Sequence, residues 1–139
     1  AKSCGCVQKG GTAPVADVNG YGEQVTAHGL TLLYGPGNDL VSATALTAAG
    51  AHMVLFTTGR GTPFGAPAPT VKIAGNSGLA ARKPGWIDFD AGPVADGEPI
   101  AEAAKRLYAL VLDIAGGRPS KTELLGYREI AIFKNGVTL

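Results

Sequence analysis

The chain has 139 residues, of which 45% are hydrophobic and 17% are charged, and its formal net charge is +1. This length and balance suit a globular domain with a hydrophobic core and argue against intrinsic disorder. The sequence has no basic block, no apolar run long enough to cross a bilayer and no visible signal peptide, so we expect no nucleic-acid partner, no membrane partner and a cytoplasmic location.

The first 28 residues are rich in glycine and show little hydrophobic periodicity. They predict a loop-rich arm with one short strand near residues 13–18, followed by a single domain over residues 29–139. The two cysteines, Cys4 and Cys6, are ordinarily free thiols in a reducing compartment, and the alternative is a thiol that helps to bind a metal or substrate. Because Met53 is the only methionine, either removal of a preceding methionine or excision from a longer chain explains Ala1.

From residue 30 onward, short apolar runs alternate with segments of helical character. We predict strands at 30–34, 53–56, 70–74, 86–89 and 128–133, and helices at 40–50, 78–83 and 99–115. Strands that alternate with helices are typical of parallel sheets. The pattern therefore predicts an α/β fold with three α/β/α layers and a mostly parallel, Rossmann-like sheet.

The segment 52–65, HMVLFTTGRGTPFG, is the strongest candidate for a site. It is a predicted buried strand that ends in a turn-forming loop, and ligands of open α/β sheets bind outside the carboxyl ends of strands. Arg60 lies between two glycines and can hold a carboxylate or phosphate, while Thr57, Thr58 and Thr62 offer hydroxyls to an oxygen-rich ligand. The alternative is a tight turn whose arginine pairs with a nearby acid.

Four further polar residues lie in or just after predicted strands and are candidates for the same site: Lys72, Asn76, Asp88 and Asp90. For each, the alternative is a surface charge or a helix cap, which we favour for Asp88. The turn Gly35-Pro36-Gly37 before a helix suggests nucleotide binding, but Leu40 occupies the place of the third glycine of a dinucleotide fingerprint. The sequence positions of His28 and His52 suggest no recognisable catalytic arrangement.

Four long segments resemble the altronate/galactarate dehydratase family over almost the whole chain: KSCGCVQKGGTAPVADVNGYGE, LLYGPGNDLVSATALTAAGAHMVLFTTGRGTPFG, PTVKIAGNSGLAARKPGWIDFDAG and YREIAIFKNGVTL. The galactarate branch is less similar, especially in the closing segment. Cys4 stands where the family leads us to expect an apolar residue, which leaves Cys6 as the metal-ligand candidate.

The resemblance implies a longer enzyme with a small N-terminal domain and a central region that are absent from this sequence. It implies removal of water from D-altronate to give 2-dehydro-3-deoxy-D-gluconate, with Fe²⁺ or Mn²⁺, in hexuronate breakdown in the bacterial cytoplasm. In that chemistry Arg60 and the three threonines suit binding of the carboxylate and hydroxyls, with Lys9, Lys72 and Asn76 as further candidates. The catalytic base and the metal ligands are not identified.

Other functions are compatible with the same residues. The substrate could be a related acid such as galactarate or sulfolactate. The chain could instead be a structural or oligomerisation module, for example in a homodimer, with the chemistry elsewhere. Nucleotide binding at residues 35–38 is the third alternative.

Overall fold

The computed structural model describes residues 8–132, and its strands form two separate parallel sheets. In the smaller sheet, β1 (Val15–Asn19) pairs with β2 (Leu30–Leu33). The larger sheet has the order β3-β4-β5, with β3 at Val54–Thr58, β4 at Thr70–Ala74 and β5 at Phe89–Asp90. The α/β class and the parallel pairing are thus confirmed, with the strands divided between two sheets.

β4 is the central strand of the larger sheet, and all five of its residues are buried. Successive side chains of a strand point to opposite faces. On one face, Val71 and Ile73 pack with Phe89 and with Ile114 of a helix, α4 (Ile100–Ala115). The sheet therefore buries an apolar layer against the longest helix of the described chain.

The other face of the sheet packs against the helix α1 (Asp39–Ala48), through Ala43 and Val54, with Phe64 and Ala66 completing this cluster. The side chain of Asn38 caps α1 by accepting hydrogen bonds from the N–H groups of the following turn. The larger sheet thus has helices on both faces, as predicted.

Three further short helices lie wholly within the described residues: α2 (Ser77–Arg82), α3 (Gly92–Ala95) and α5 (Lys121–Leu124). The sequence predicted α2 but neither α3 nor α5, which are only four residues long. Within residues 8–132, no helix has the length and apolar character needed to span a membrane.

Two predicted strands differ in the structure. β5 covers only Phe89–Asp90, and Trp86 lies in the turn before it. Residues 128–132 form no strand, because Glu129 bonds to a loop: its N–H donates to the carbonyl of Gly65 at 2.7 Å, and its carboxylate accepts from the Gly65 N–H at 2.9 Å. The prediction of a final strand was wrong for these residues, and residue 133 lies outside the described range.

Asp88 connects the sheet to α5 through its carboxylate. One oxygen accepts from the backbone N–H of Lys72 at 2.8 Å, and the other accepts from the N–H of Lys121 at 2.9 Å. The hydroxyl of Thr122 donates to the carbonyl of Thr70 at 2.9 Å in the same region. Asp88 therefore has a structural role between two backbone segments, where the sequence analysis favoured a surface charge or a helix cap.

Gly92 lies where α3 meets the start of α2, and the contact has no room for a side chain. A Cβ added at Gly92 would lie 2.2 Å from the backbone nitrogen of Ser77 and 2.3 Å from its hydroxyl oxygen. Gly92→Ala should therefore destabilise the chain by roughly 1–3 kcal/mol, as overpacking does. Urea unfolding of the 139-residue chain measures this loss.

Gly85→Ala is the matched control, because a Cβ at Gly85 meets no atom within 4 Å. Its free energy of unfolding should change by less than about 0.5 kcal/mol, or increase slightly through the entropy of the unfolded chain. Equal unfolding midpoints for the two variants would contradict the close contact at Gly92.

Candidate functional site

A cleft of about 530 Å³ lies at the carboxyl end of β3, where the sequence predicted a site. Its lining residues come from β3, the following loop, the start of α1 and the N-terminal arm: Lys9, Asp39, Leu55, Phe56, Thr57, Thr58, Gly59, Arg60 and Thr62. The structure thus brings together Thr57, Thr58, Arg60 and Thr62, four of the six residues predicted to bind substrate, and Lys9, a further candidate.

Asp39 is the lining residue that the sequence analysis missed as a site residue. Asn38 caps α1, and Asp39 lies in the first turn of this helix, at the cleft. The signal available in the sequence was its position at a helix start just after a strand and a glycine-rich turn. With Lys9 and Arg60, the cleft has two cationic side chains and one carboxylate.

The loop after β3 is held in its turn by local hydrogen bonds. The hydroxyl of Thr58 accepts from the N–H of Gly61 at 2.9 Å, and Gly61 adopts φ of 85°, which favours glycine. Arg60 projects from this turn as an exposed side chain. A guanidinium on a short, hydrogen-bonded turn suits recognition of an anion at the cleft mouth.

Asn76 does not line the cleft, because its side chain joins the two loops that follow β3 and β4. Its amide nitrogen donates to the carbonyl of Gly59 at 3.2 Å, and its amide oxygen accepts from the N–H of Leu79 at 2.8 Å, which caps α2. Asn76 therefore positions the loop next to Arg60. Asp90 likewise serves a turn, since its carboxylate accepts from the N–H of Gly92 at 2.8 Å.

Lys72 is also absent from the cleft lining, and it is one of the most buried side chains, at 1% exposure. Its ammonium lies 4.0 Å from the ring centroid of Phe56 and 3.8 Å from that of Phe64. Among the described residues it has no hydrogen-bond partner. Burial lowers the pKa of Lys72 to about 8, although the carboxylates of Asp39, Glu129 and Asp88 oppose the change.

The turn at 35–38 shows an arrangement that does not favour phosphate binding. The side chain of Asn38 accepts from the N–H groups of Leu40 and Val41, at 3.1 and 3.2 Å. These are the donors that the start of a helix would offer to an anion. Within residues 8–132, no three His, Cys, Asp or Glu side chains come together as potential metal ligands, and Cys6 lies outside this range.

The geometry defines an α/β domain with a cleft at a strand end that two cationic side chains, one carboxylate and three threonines line. Residues 1–138 match the family described as D-galactarate/Altronate dehydratase, C-terminal, and the chain belongs to this family. It is 51% identical to the altronate dehydratases of Escherichia coli (strain K12) and Bacillus subtilis (strain 168), over 99% of this chain but only 28% of each relative's length. The galactarate dehydratase (L-threo-forming) of E. coli K12 is 37% identical over 84% of this chain and 23% of its own length.

The buried ammonium of Lys72 should make stability depend on pH. Its pKa is about 8 in the folded chain and 10.5 in the unfolded one, so the unfolded state binds more protons between these values. Stability therefore rises with pH in this window. The stability advantage of Lys72→Met over wild type should be largest below about pH 8 and shrink by on the order of 2 kcal/mol towards pH 10.5, after allowance for solvent screening.

Urea unfolding at pH 7 to 10.5 measures this difference. Lys105→Met is the matched control, because the Lys105 side chain is 73% exposed and pairs with Glu102 at the surface. A difference between wild type and Lys72→Met that stays constant across the window would disprove the shifted titration of Lys72.

Proposed function

We propose that this chain is the C-terminal part of a sugar-acid dehydratase that removes water from D-altronate to give 2-dehydro-3-deoxy-D-gluconate. The observation that carries the proposal is the cleft at the end of β3, where Arg60 and three threonines meet. The 51% identity to two altronate dehydratases, against 37% to a galactarate dehydratase, favours altronate as the substrate.

The residues of the cleft suit the two kinds of group that an aldonate presents. Arg60 is an exposed guanidinium that can hold the carboxylate through two parallel hydrogen bonds. The hydroxyls of Thr57 and Thr62 can donate to or accept from the hydroxyls of the sugar chain. Thr58 already accepts the N–H of Gly61, so its hydroxyl has a proton left to donate.

Dehydration of an aldonate removes the proton next to the carboxylate and expels the neighbouring hydroxyl. Negative charge develops on the carboxylate as the proton leaves, and fixed cations lower the energy of that state. In this proposal Arg60 stabilises the developing charge and the threonines orient the carbon chain. The catalytic base is not assigned to any residue that lines the cleft.

The Fe²⁺ or Mn²⁺ ion that the resemblance implies does not fit the described residues. Within residues 8–132, Asp39 is the one carboxylate that lines the cleft, and no set of three ligands is present. We propose that the metal ligands lie outside this range, where Cys6 is the residue that the sequence analysis singled out. The N-terminal and central regions of the longer enzyme are the proposed partners, and the cytoplasm is the proposed location.

Replacement of Arg60 tests the proposal in the full-length protein that carries this chain. Arg60→Ala should lower kcat/KM for D-altronate by roughly 10²- to 10³-fold, because a charge-assisted contact that strengthens in the transition state is lost. The kcat/KM of Arg60→Lys should lie between the values for Arg60→Ala and wild type, since an ammonium keeps the charge but not the paired hydrogen bonds.

Arg118→Ala is the matched control, because Arg118 is an exposed arginine that pairs with Asp113 and does not line the cleft. Its kinetics should equal those of wild type. Wild-type kinetics for Arg60→Ala would favour the alternative that this chain is a structural or oligomerisation module with the chemistry elsewhere.

A further inference from the structure

Lys72 occupies an unusual position for a lysine, in the middle of the central strand. It pairs in register with Phe56 of β3, and its ammonium lies against the rings of Phe56 and Phe64. An aromatic face attracts a cation, but this attraction stabilises the ammonium far less than the hydration that it loses on burial. No residue in the described part of the chain hydrogen-bonds to the ammonium.

Phe56 connects this buried charge to the cleft. Its ring contacts the ammonium of Lys72, and Phe56 is also one of the residues that line the cleft. A positive charge thus lies one aromatic side chain away from the space where Arg60 would hold an anion. In the low effective dielectric of a protein interior, a charge acts over such a distance more strongly than it would in water.

We infer that the buried Lys72 ammonium is the counter-charge for an anion held in the cleft, acting through the Phe56 ring rather than by contact. The inference rests on the proposed function, in which the anion is the carboxylate of a sugar acid. Lys72 is then a positioning residue, which strengthens carboxylate binding from a distance, while Arg60 contacts the carboxylate directly.

Three carboxylates act on the ammonium of Lys72, and one of them, Asp39, also lines the cleft. Asp39 faces it from α1, Asp88 from the segment before β5, and Glu129 from the C-terminal segment. Their combined attraction does not offset burial, and the pKa of Lys72 stays lowered, at about 8. An anion in the cleft favours the charged form of the amine, so its binding should raise this pKa and draw a proton from solution.

Isothermal titration calorimetry of the full-length protein with D-altronate tests this coupling directly. Titrations at pH 8 in two buffers of different ionisation enthalpy give the number of protons taken up on binding. We expect nearly half a proton for wild type at pH 8, and an affinity that falls by roughly tenfold in all between pH 7 and pH 10. This measurement needs no variant.

Two substitutions separate charge from structure. Lys72→Met keeps an unbranched side chain, one atom shorter and without charge, and should weaken binding roughly tenfold at pH 7, with no proton uptake, as expected for loss of a charge one ring away. Lys72→Arg keeps the charge and should restore the affinity without the dependence on pH, since a guanidinium stays protonated. Lys105→Met, at an exposed ion pair on α4, should behave as wild type.

Circular dichroism verifies that each variant is folded, and removal of a buried charge should not unfold the chain. Absence of proton uptake by wild type at pH 8, or unchanged affinity of folded Lys72→Met, would overturn the inference. The inference would also be overturned if neither D-altronate nor sulfate, titrated as a simple anion, bound to wild type at pH 7. If binding and proton uptake occur but D-altronate is not dehydrated, the proposed function fails while this inference stands.

Discussion

The parallel pairing of β3 with β4 is the constraint on which the rest of the described structure depends. Its five-residue register, from Val54 opposite Thr70 to Thr58 opposite Ala74, brings both strands to an end at the same edge of the sheet. The loops that follow are then close enough to bond, through Gly75 N–H to the carbonyl of Thr58 at 2.9 Å and through Asn76 to Gly59. The same register sets Phe56 beside Lys72. A shift by one residue would turn each of these side chains to the opposite face.

The C-terminal segment fixes the far end of the loop that carries Arg60. Gly65 exchanges two hydrogen bonds with Glu129, and a Cβ at Gly65 would lie 2.6 Å from the carbonyl oxygen of Tyr127. The N–H of Ala131 donates to the hydroxyl of Thr44 on α1 at 3.0 Å. These contacts span more than sixty residues of sequence and hold Phe64, next to Gly65, over Lys72. The last described residues thus act on the site without lining it.

Local pattern predicted the parts of the fold that depend on local sequence. The apolar run before Thr57 predicted β3, and the glycine-rich segment after it predicted the loop at the cleft. The helical spacing of apolar residues predicted α4 with a start one residue from the observed one. The segment 128–132 ends in the apolar run Ile130–Ile132 and so suggested a strand, yet its hydrogen bonds go to Gly65 and Thr44, which no pattern in the segment encodes. The burial of Lys72 was equally invisible, because a lysine flanked by apolar residues predicts one polar face of a strand. Its place between two rings depends on the strand register and on Phe64 together.

Arg60 and Lys72 are two cations of the same part of the sheet that lie in opposite environments, one exposed to water and the other buried. The guanidinium is exposed, so it can contact an anion but is screened by water and salt; the ammonium is buried and cannot make contact, but its field is less screened. In the proposed site, the combined attraction of the two cations for an anion would depend on how much water remains in the cleft. β3 has an unpaired edge among the described strands, and Leu55, which lines the cleft on this edge, is 49% exposed. This chain covers 28% of the length of its altronate dehydratase relatives. In the proposed enzyme, sequence outside this chain would cover the exposed edge of β3, and the exclusion of water would strengthen the attraction of both cations for the substrate.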